Sequence, residues 1–338
     1  MSTLKYFIGC VAVASFLSCN KDESFDVKGD PDTVFFTNSG SLGNMPVNSA
    51  SYTVVNIPDG AGWANLSSTL PASIKLPVFA TKPVSQDVTI SAQLDNSLVA
   101  SYNAANNTSY KELPAGILNT QALTARIAQG ATTSVDSLTI AVDPANFKTL
   151  TETAYMAPIK LSTVSNGSVG KITSNAAIQA VYVVLNTELR QIRFLATAAD
   201  VTGTLQNRTG WVAGFTPAPA TSGNILDGLT TTFTRWGTTP GQVDVDMLSS
   251  RAVTGVRLYT TTTAAQLPTQ VDVYTSVDGI NYALVGSPLR ANLTFATPYN
   301  YVLFYRAIQA RYIRLRLSYS TSTNTQNTRL TELDVYAN

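Results

Sequence analysis

Histidine is absent from this 338-residue chain, and cysteine occurs only twice, at Cys10 and Cys19. The first absence excludes Ser-His-Asp and Cys-His nucleophilic pairs, histidine-ligated zinc and imidazole acid–base chemistry. The second leaves no disulfide within any body that follows Cys19. Charge is also scarce. Charged residues make up 13% of the chain, against about 25% in an average soluble domain. A formal net charge of +1 lacks the basic footprint of a nucleic-acid binder. What is abundant is neutral and polar: Thr, Ser, Asn and Tyr, beside a 44% hydrophobic content sufficient for a buried core. Such a chain suits strands and loops that hydrogen-bond uncharged ligands.

Residues 1–19 read as an export signal. Lys5 supplies a positive start, and Tyr6–Leu17 is apolar but too short to cross a bilayer as a mature helix. The run closes on Phe16-Leu17-Ser18-Cys19, which resembles the box cleaved by lipoprotein signal peptidase, with Phe in place of the usual Leu. That resemblance implies lipidation at Cys19; an ordinary secretory signal, or an anchor never removed, is the alternative. Asn20-Lys21-Asp22-Glu23 follows. It resembles the signal that sends Bacteroidetes-type lipoproteins to the outer face of the outer membrane, and it also serves as a solvated tether over residues 20–33. The expected location is therefore the outer membrane, lipid-anchored and facing outward.

Beyond the tether the pattern is β. Val88, Ile90, Ala92 and Leu94 alternate with Thr89, Ser91 and Gln93, the period of a half-buried strand. Ser137–Val142 and Ala177–Leu185 are apolar runs of strand length. Gln121–Gln129 has helix-favouring composition but alternating apolar residues, and strand is the preferred reading. Pro144 after Asp143 predicts a helical turn over Pro144–Leu150. Lysine and arginine segregate: nine Lys and one Arg lie at or before position 186, and twelve Arg with no Lys follow. This shift places a boundary at Asn186–Gln191, between bodies at 34–186 and 194–338. The charges on either side of position 186, ten basic against twelve acidic residues before and twelve against nine after, are both modest.

Within the first body, Val99-Ala100-Ser101-Tyr102-Asn103, Tyr110-Lys111-Glu112-Leu113-Pro114 and Tyr155-Met156-Ala157-Pro158-Ile159 occur in that order. They resemble the domain of unknown function 1735, an immunoglobulin-like β-sandwich of Bacteroidetes surface glycan-foraging lipoproteins. In the second body, Asn224-Ile225-Leu226-Asp227-Gly228 precedes Arg235-Trp236. Val243–Leu248 and Ala252–Tyr259 read as paired strands. Pro268–Tyr282 reads as a strand entering an Asp278-Gly279 hairpin. Ala310–Arg316 carries arginines on one face, and Leu330–Tyr336 closes the series. These blocks resemble a factor five/eight type C (discoidin) domain, the fold of family thirty-two carbohydrate-binding modules. The expected architecture is all-β, with an immunoglobulin-like sandwich followed by a jelly-roll sandwich closed by adjacent terminal strands.

The second resemblance implies ligand capture by loops at one end of the jelly roll, beside a structural calcium. Aromatic rings cover the apolar face of a pyranose while Arg, Asn and Gln bond its hydroxyls. The candidate loops are Gly228–Arg235, Thr260–Leu267 and Ser320–Arg329, with Phe233, Arg235, Tyr319, Asn324, Gln326, Asn327 and Arg329 as ligand residues. Trp211 and Trp236 are expected in the core, and Arg257, Arg314 and Arg316 as strand-face arginines. Asp227, Thr232 and Glu332 are the residues that suit calcium, although Leu229 stands where relatives often carry a second acid. Relatives that bind galactose commonly use a histidine, so their recognition does not transfer. No local carboxylate pair of glycosidase type stands out. The expectation is a non-catalytic surface lipoprotein that binds a neutral glycan, partnering an outer-membrane glycan importer or glycosidase. The alternatives are an adhesion module for protein or lipid, and an accessory subunit of such an importer or glycosidase.

Overall fold

The computed structural model describes residues 33–36, 39–42, 45–121, 123–165, 171–173, 176–236, 240–260, 267–294, 299–319 and 328–338. The signal, the tether with Cys19, and Asn324, Gln326 and Asn327 lie outside them.

The first body is a β-sandwich. Its larger sheet runs in the order Leu123–Ile127, Val88–Leu94, Ala154–Val164, Ala180–Leu189, Met45–Asp59 and Ser39–Leu42. Ser73–Leu76, Leu138–Val142 and Leu118–Asn119 form a smaller sheet. The period-two reading holds: Leu123, Ala125 and Ile127 point inward while Thr124 and Arg126 face solvent. Leu76, Ile90, Ile127, Leu138, Ile140 and Ile159 meet in one core. Pro144–Thr149 is a short 3-10 helix, started by the Asp143 carboxylate accepting from the Ala145 amide.

Ser97–Asn106 is an α-helix that periodicity did not announce. Val99 and Tyr102 bury one side of it against Met156 and Val184, with Tyr110 and Tyr182 packed alongside. Asn103 Oδ1 accepts from the Tyr110 amide at 3.0 Å, and Asn103 Nδ2 donates to the Tyr110 carbonyl at 2.8 Å. The three short motifs of the first body are thus neighbours in space. They plug one flank of the sandwich and explain their own residue types by packing.

The junction is stitched to both bodies. The Arg190 amide donates to Asn56 of the first body, while the Tyr305 amide donates to Gln191 and the Arg193 amide to Leu303 of the second. Arg306 adds a side-chain bond to the Gly62 carbonyl.

The second body is a jelly roll built on one long ribbon. Gly241–Tyr259 pairs with Tyr299–Ser318 along nearly its whole length. Val243–Leu248 and Ala252–Tyr259 therefore do not pair with each other, which corrects the sequence reading. They are two arms of one bent strand. The bend falls between Asp246 and Arg251, where the register shifts and Leu248 adopts a φ of +65°. Gln270–Ser276 and Ala283–Gly286 form the expected hairpin. Asp278 caps it by accepting from the Ile280 and Asn281 amides, which hold its carboxyl well below the usual range. Thr204–Leu205 pairs with Glu332–Ala337 and closes the sandwich.

Trp236 is completely buried in the same core as Val243, Val245, Leu315 and Leu317, with the Phe215 ring edge-on at 6.0 Å. Gly241 faces it so closely that a Cβ there would lie 2.5 Å from the indole. Gly241→Ala is expected to cost about 1–3 kcal/mol through overpacking, read as a lower melting temperature with the fold retained. An unchanged melting temperature would contradict this packing.

Candidate functional site

The bend in the ribbon brings its two ends back to one end of the domain. The Thr331 amide donates to the Tyr259 carbonyl, and the Tyr319 hydroxyl donates to the Arg329 carbonyl at 3.5 Å. Thr234–Trp236 pairs antiparallel with Thr328–Leu330, with Arg235 directly opposite Arg329. Thr221 bonds Arg235 from the other side through both backbone groups. Thr234, Trp236 and Leu330 point inward, so by strand alternation Arg235 and Arg329 share the outer face.

Phe233 stands at the edge of this patch. It is half-buried, and the Arg329 guanidinium lies 4.3 Å from its ring centroid. Gly223 makes room for it, since a Cβ at Gly223 would strike the Phe233 backbone. Phe233, Arg235 and Arg329 are therefore together. Tyr319 is not offered as a platform. It is 6% exposed, and burial raises its phenol above the usual range. Ile313, Leu315, Leu317 and Tyr319 fall on one strand parity, and that parity points to the core.

Beside this patch lies an oxygen-rich knot. Thr232 Oγ1 is 3.3 Å from the Asn224 carbonyl, 3.3 and 3.2 Å from the two Asp227 oxygens, and 3.2 Å from the Leu229 carbonyl. A hydroxyl has one proton and cannot satisfy four acceptors. Glu332 adjoins from the closing strand, with Oε1 accepting from the Gly228 amide and Oε2 from Arg208. Burial, then the facing Asp227, push Glu332 up to about 7, against the pull of Arg208. Burial also raises Asp227. The Leu229 amide, the Glu332 proton, the Thr232 hydroxyl and Arg208 outweigh it and leave Asp227 below its usual value. The two carboxyls thus share one proton.

Two carboxylates, a hydroxyl and two carbonyls that crowd together with too few protons fit a hard divalent cation such as calcium. No group of three or more Asp, Glu, Cys or His side chains placed to hold a metal ion occurs among the described residues. Any such site therefore relies on neutral oxygens.

Arg208 was not singled out by sequence. It spans Glu332 and Asp334, at 3.1 Å from the latter, and Asp334 also holds Arg257 at 2.6 Å. Asn207, Arg208, Thr209, Trp211, Asn224 and Asp227 line a polar cleft of about 380 Å³. Of the other strand-face arginines, Arg314 bonds Asp244 and lies 3.7 Å from the Tyr282 centroid.

Residues 31–168 match a family model described as an N-terminal domain, and residues 213–331 match the F5/8 type C domain. No curated protein matches the chain. A two-domain protein of unknown function from Bacteroides fragilis superposes over 90% of this chain and 94% of its own, with a TM-score of 0.51 and 15% identity. The family 32 carbohydrate-binding module of Clostridium perfringens NanJ, solved in complex with galactose, aligns over 40% of this chain and 99% of its own (TM-score 0.33, 19% identity). Another such module, from a family 31 glycoside hydrolase of Clostridium perfringens, aligns over 40% of this chain and 95% of its own (TM-score 0.35, 18% identity). The chain is therefore a two-domain β protein whose second body carries an F5/8 type C domain.

Proposed function

We propose that the F5/8 type C domain is a carbohydrate-binding module and that the chain is a non-catalytic glycan-capture protein. The observation that carries this reading is the outward ledge of Phe233, Arg235 and Arg329, where a ring edge and two guanidiniums adjoin the ends of the Trp236 and Thr328 strands. An aromatic ring contacts the apolar face of a sugar, and guanidinium donors bond its oxygens. The loop residues Asn324, Gln326 and Asn327 supply further neutral donors and acceptors in the same stretch of chain. Asp227, Thr232 and Glu332 are the residues that would hold a calcium ion, which would supply a cross-link between the loop that leads to Phe233 and the closing strand. The export signal and Cys19 support display on the outer membrane by a lipid anchor, with the first body as a spacer. A glycan importer or surface glycosidase is the partner that this setting suggests.

Phe233→Ala is expected to abolish retention on glycan arrays or in affinity gels at an unchanged melting temperature. Retention equal to that of the parent protein would discard this ledge as the site.

A second reading, adhesion to lipid or protein, draws on Val277 and Ile280. They are 62% and 82% exposed on the Asp278-Gly279 hairpin. That hairpin follows Ser276, which pairs with Tyr312 near the bend of the ribbon, at the end away from the ledge. Sedimentation with phosphatidylcholine–phosphatidylserine vesicles, lost in Ile280→Ser, would favour it.

A further inference from the structure

The charge of the ligand follows from how Arg235 and Arg329 are left. They occupy directly opposed positions of an antiparallel pair, where side chains stand about 5 Å apart at Cβ and like charges repel. Each has a buried Nε with no hydrogen-bond partner among the described residues, and neither forms an ion pair there. Elsewhere in this body Arg208, Arg257, Arg311 and Arg314 each meet a carboxylate, whereas Arg251 and Arg306, whose Nε is likewise buried without a partner, bond through a terminal nitrogen to the Gln206 side chain and the Gly62 carbonyl. The nearest acids along the chain are engaged, Asp227 in the oxygen knot and Glu332 with Arg208 and Gly228. The segments that adjoin the two strands, 237–239 and 320–327, contain no acidic residue. Among the described residues no carboxylate pairs with either arginine, while stacking on Phe233 holds one guanidinium in place. A guanidinium held on Phe233 and a second one directly opposite it in the strand pair, with no carboxylate among the described residues to answer either, match an anion bound through several oxygens.

We propose that the ledge recognises an acidic saccharide, one carrying a carboxylate or sulfate that bridges Arg235 and Arg329 while Phe233 lies beside the sugar ring. This rests on the carbohydrate-binding reading and replaces its expectation of a neutral ligand. Low overall charge concealed the site, because two arginines suffice when no acid answers them.

The test is affinity gel electrophoresis of the full chain on polygalacturonate, chondroitin sulfate and uncharged galactan, at low and high salt. Retention is expected on an acidic polymer and not on galactan, and is expected to weaken as salt screens the pair. Polygalacturonate and chondroitin sulfate together separate a carboxylate requirement from a sulfate one. Arg235→Gln and Arg329→Gln are each expected to weaken retention about tenfold, with Arg→Lys recovering part of it. Arg316→Gln, on the larger sheet, is expected to leave it unchanged. Melting curves confirm that each variant is folded. Retention on galactan equal to that on the acidic polymers overturns the proposal but leaves carbohydrate binding standing. Acidic retention that survives Arg235→Gln/Arg329→Gln also overturns it. Retention on none of the three overturns this proposal, and the failure extends to carbohydrate binding only if neutral glycan arrays are also blank.

Discussion

Arg208→Met is expected to destabilise the second body by about 3–5 kcal/mol, the loss typical when one member of a buried charge cluster is removed. The reason lies in what remains. Arg208 is the cation between Glu332 and Asp334, whose side chains are 6% and 8% exposed, and it also donates to the Leu333 carbonyl at 3.1 Å. Without it, Asp334 keeps Arg257, but Glu332 keeps only the Gly228 amide while still facing Asp227. Methionine preserves most of the volume, so lost packing is minor and lost charge dominates. Arg208→Lys restores a charge but not the fork that reaches two carboxylates, and an intermediate loss is expected. Urea denaturation of the three proteins measures this. A methionine variant within 1 kcal/mol of the parent protein would show that the cluster is not a structural keystone. The same experiment reports on closure of the jelly roll, since Glu332 and Asp334 belong to the strand that pairs with Thr204–Leu205.

The legible parts of this molecule were those where local pattern and burial coincide. Val88–Leu94 and Leu123–Ile127 alternate because one face of each lies on the core, and their period survives into the fold. Trp236 was expected in the core and is there, because the family position is an interior one and Gly241 opens space for the indole. The bent ribbon was misread because Ser249-Ser250 has the composition of a turn. The strand instead absorbs the irregularity as a register shift and continues against the same partner. The Ser97–Asn106 helix was read only as a motif. Its first turn has no acid and its cap no side-chain hydrogen bond, so the usual start signal is missing. Phe233, Arg235 and Arg329 were chosen from their position near loops, and the structure brings these three together. Tyr319 was misjudged by the same logic, although its parity with Leu315 and Leu317 already pointed inward. Arg208 was out of reach of any local pattern, because its partner Glu332 lies 124 residues away.

Without calcium, stability should fall as pH rises from about 4.5 to about 7. Glu332 is held up to about 7 in the folded chain but titrates near its ordinary value of about 4.3 when unfolded. Across that window the folded state binds more protons than the unfolded state, so the slope of stability with pH is negative. The lowered Asp227 acts in the opposite sense, but below its own ordinary range, outside this window. A divalent cation between the two carboxyls replaces the shared proton. It is expected to bind poorly at pH 5, where Glu332 is protonated, and well at pH 8. At a calcium concentration near a hundred times the dissociation constant the gain is about 2.7 kcal/mol, which corresponds to roughly 5–10 °C in a body of this size. Melting curves at pH 5 and pH 8, each with chelator and with calcium, test both statements. Glu332→Gln should flatten the pH slope in chelator and remove most of the calcium response at pH 8. An equal calcium shift at the two pH values, or an undiminished one in E332Q, would place any bound calcium away from Asp227 and Glu332. A pH slope that persists in E332Q would assign the titration to another group. Because Thr232 of the knot immediately precedes Phe233 in the chain, the cation that relieves Glu332 should also tighten saccharide retention at pH 8 and leave it unchanged at pH 5.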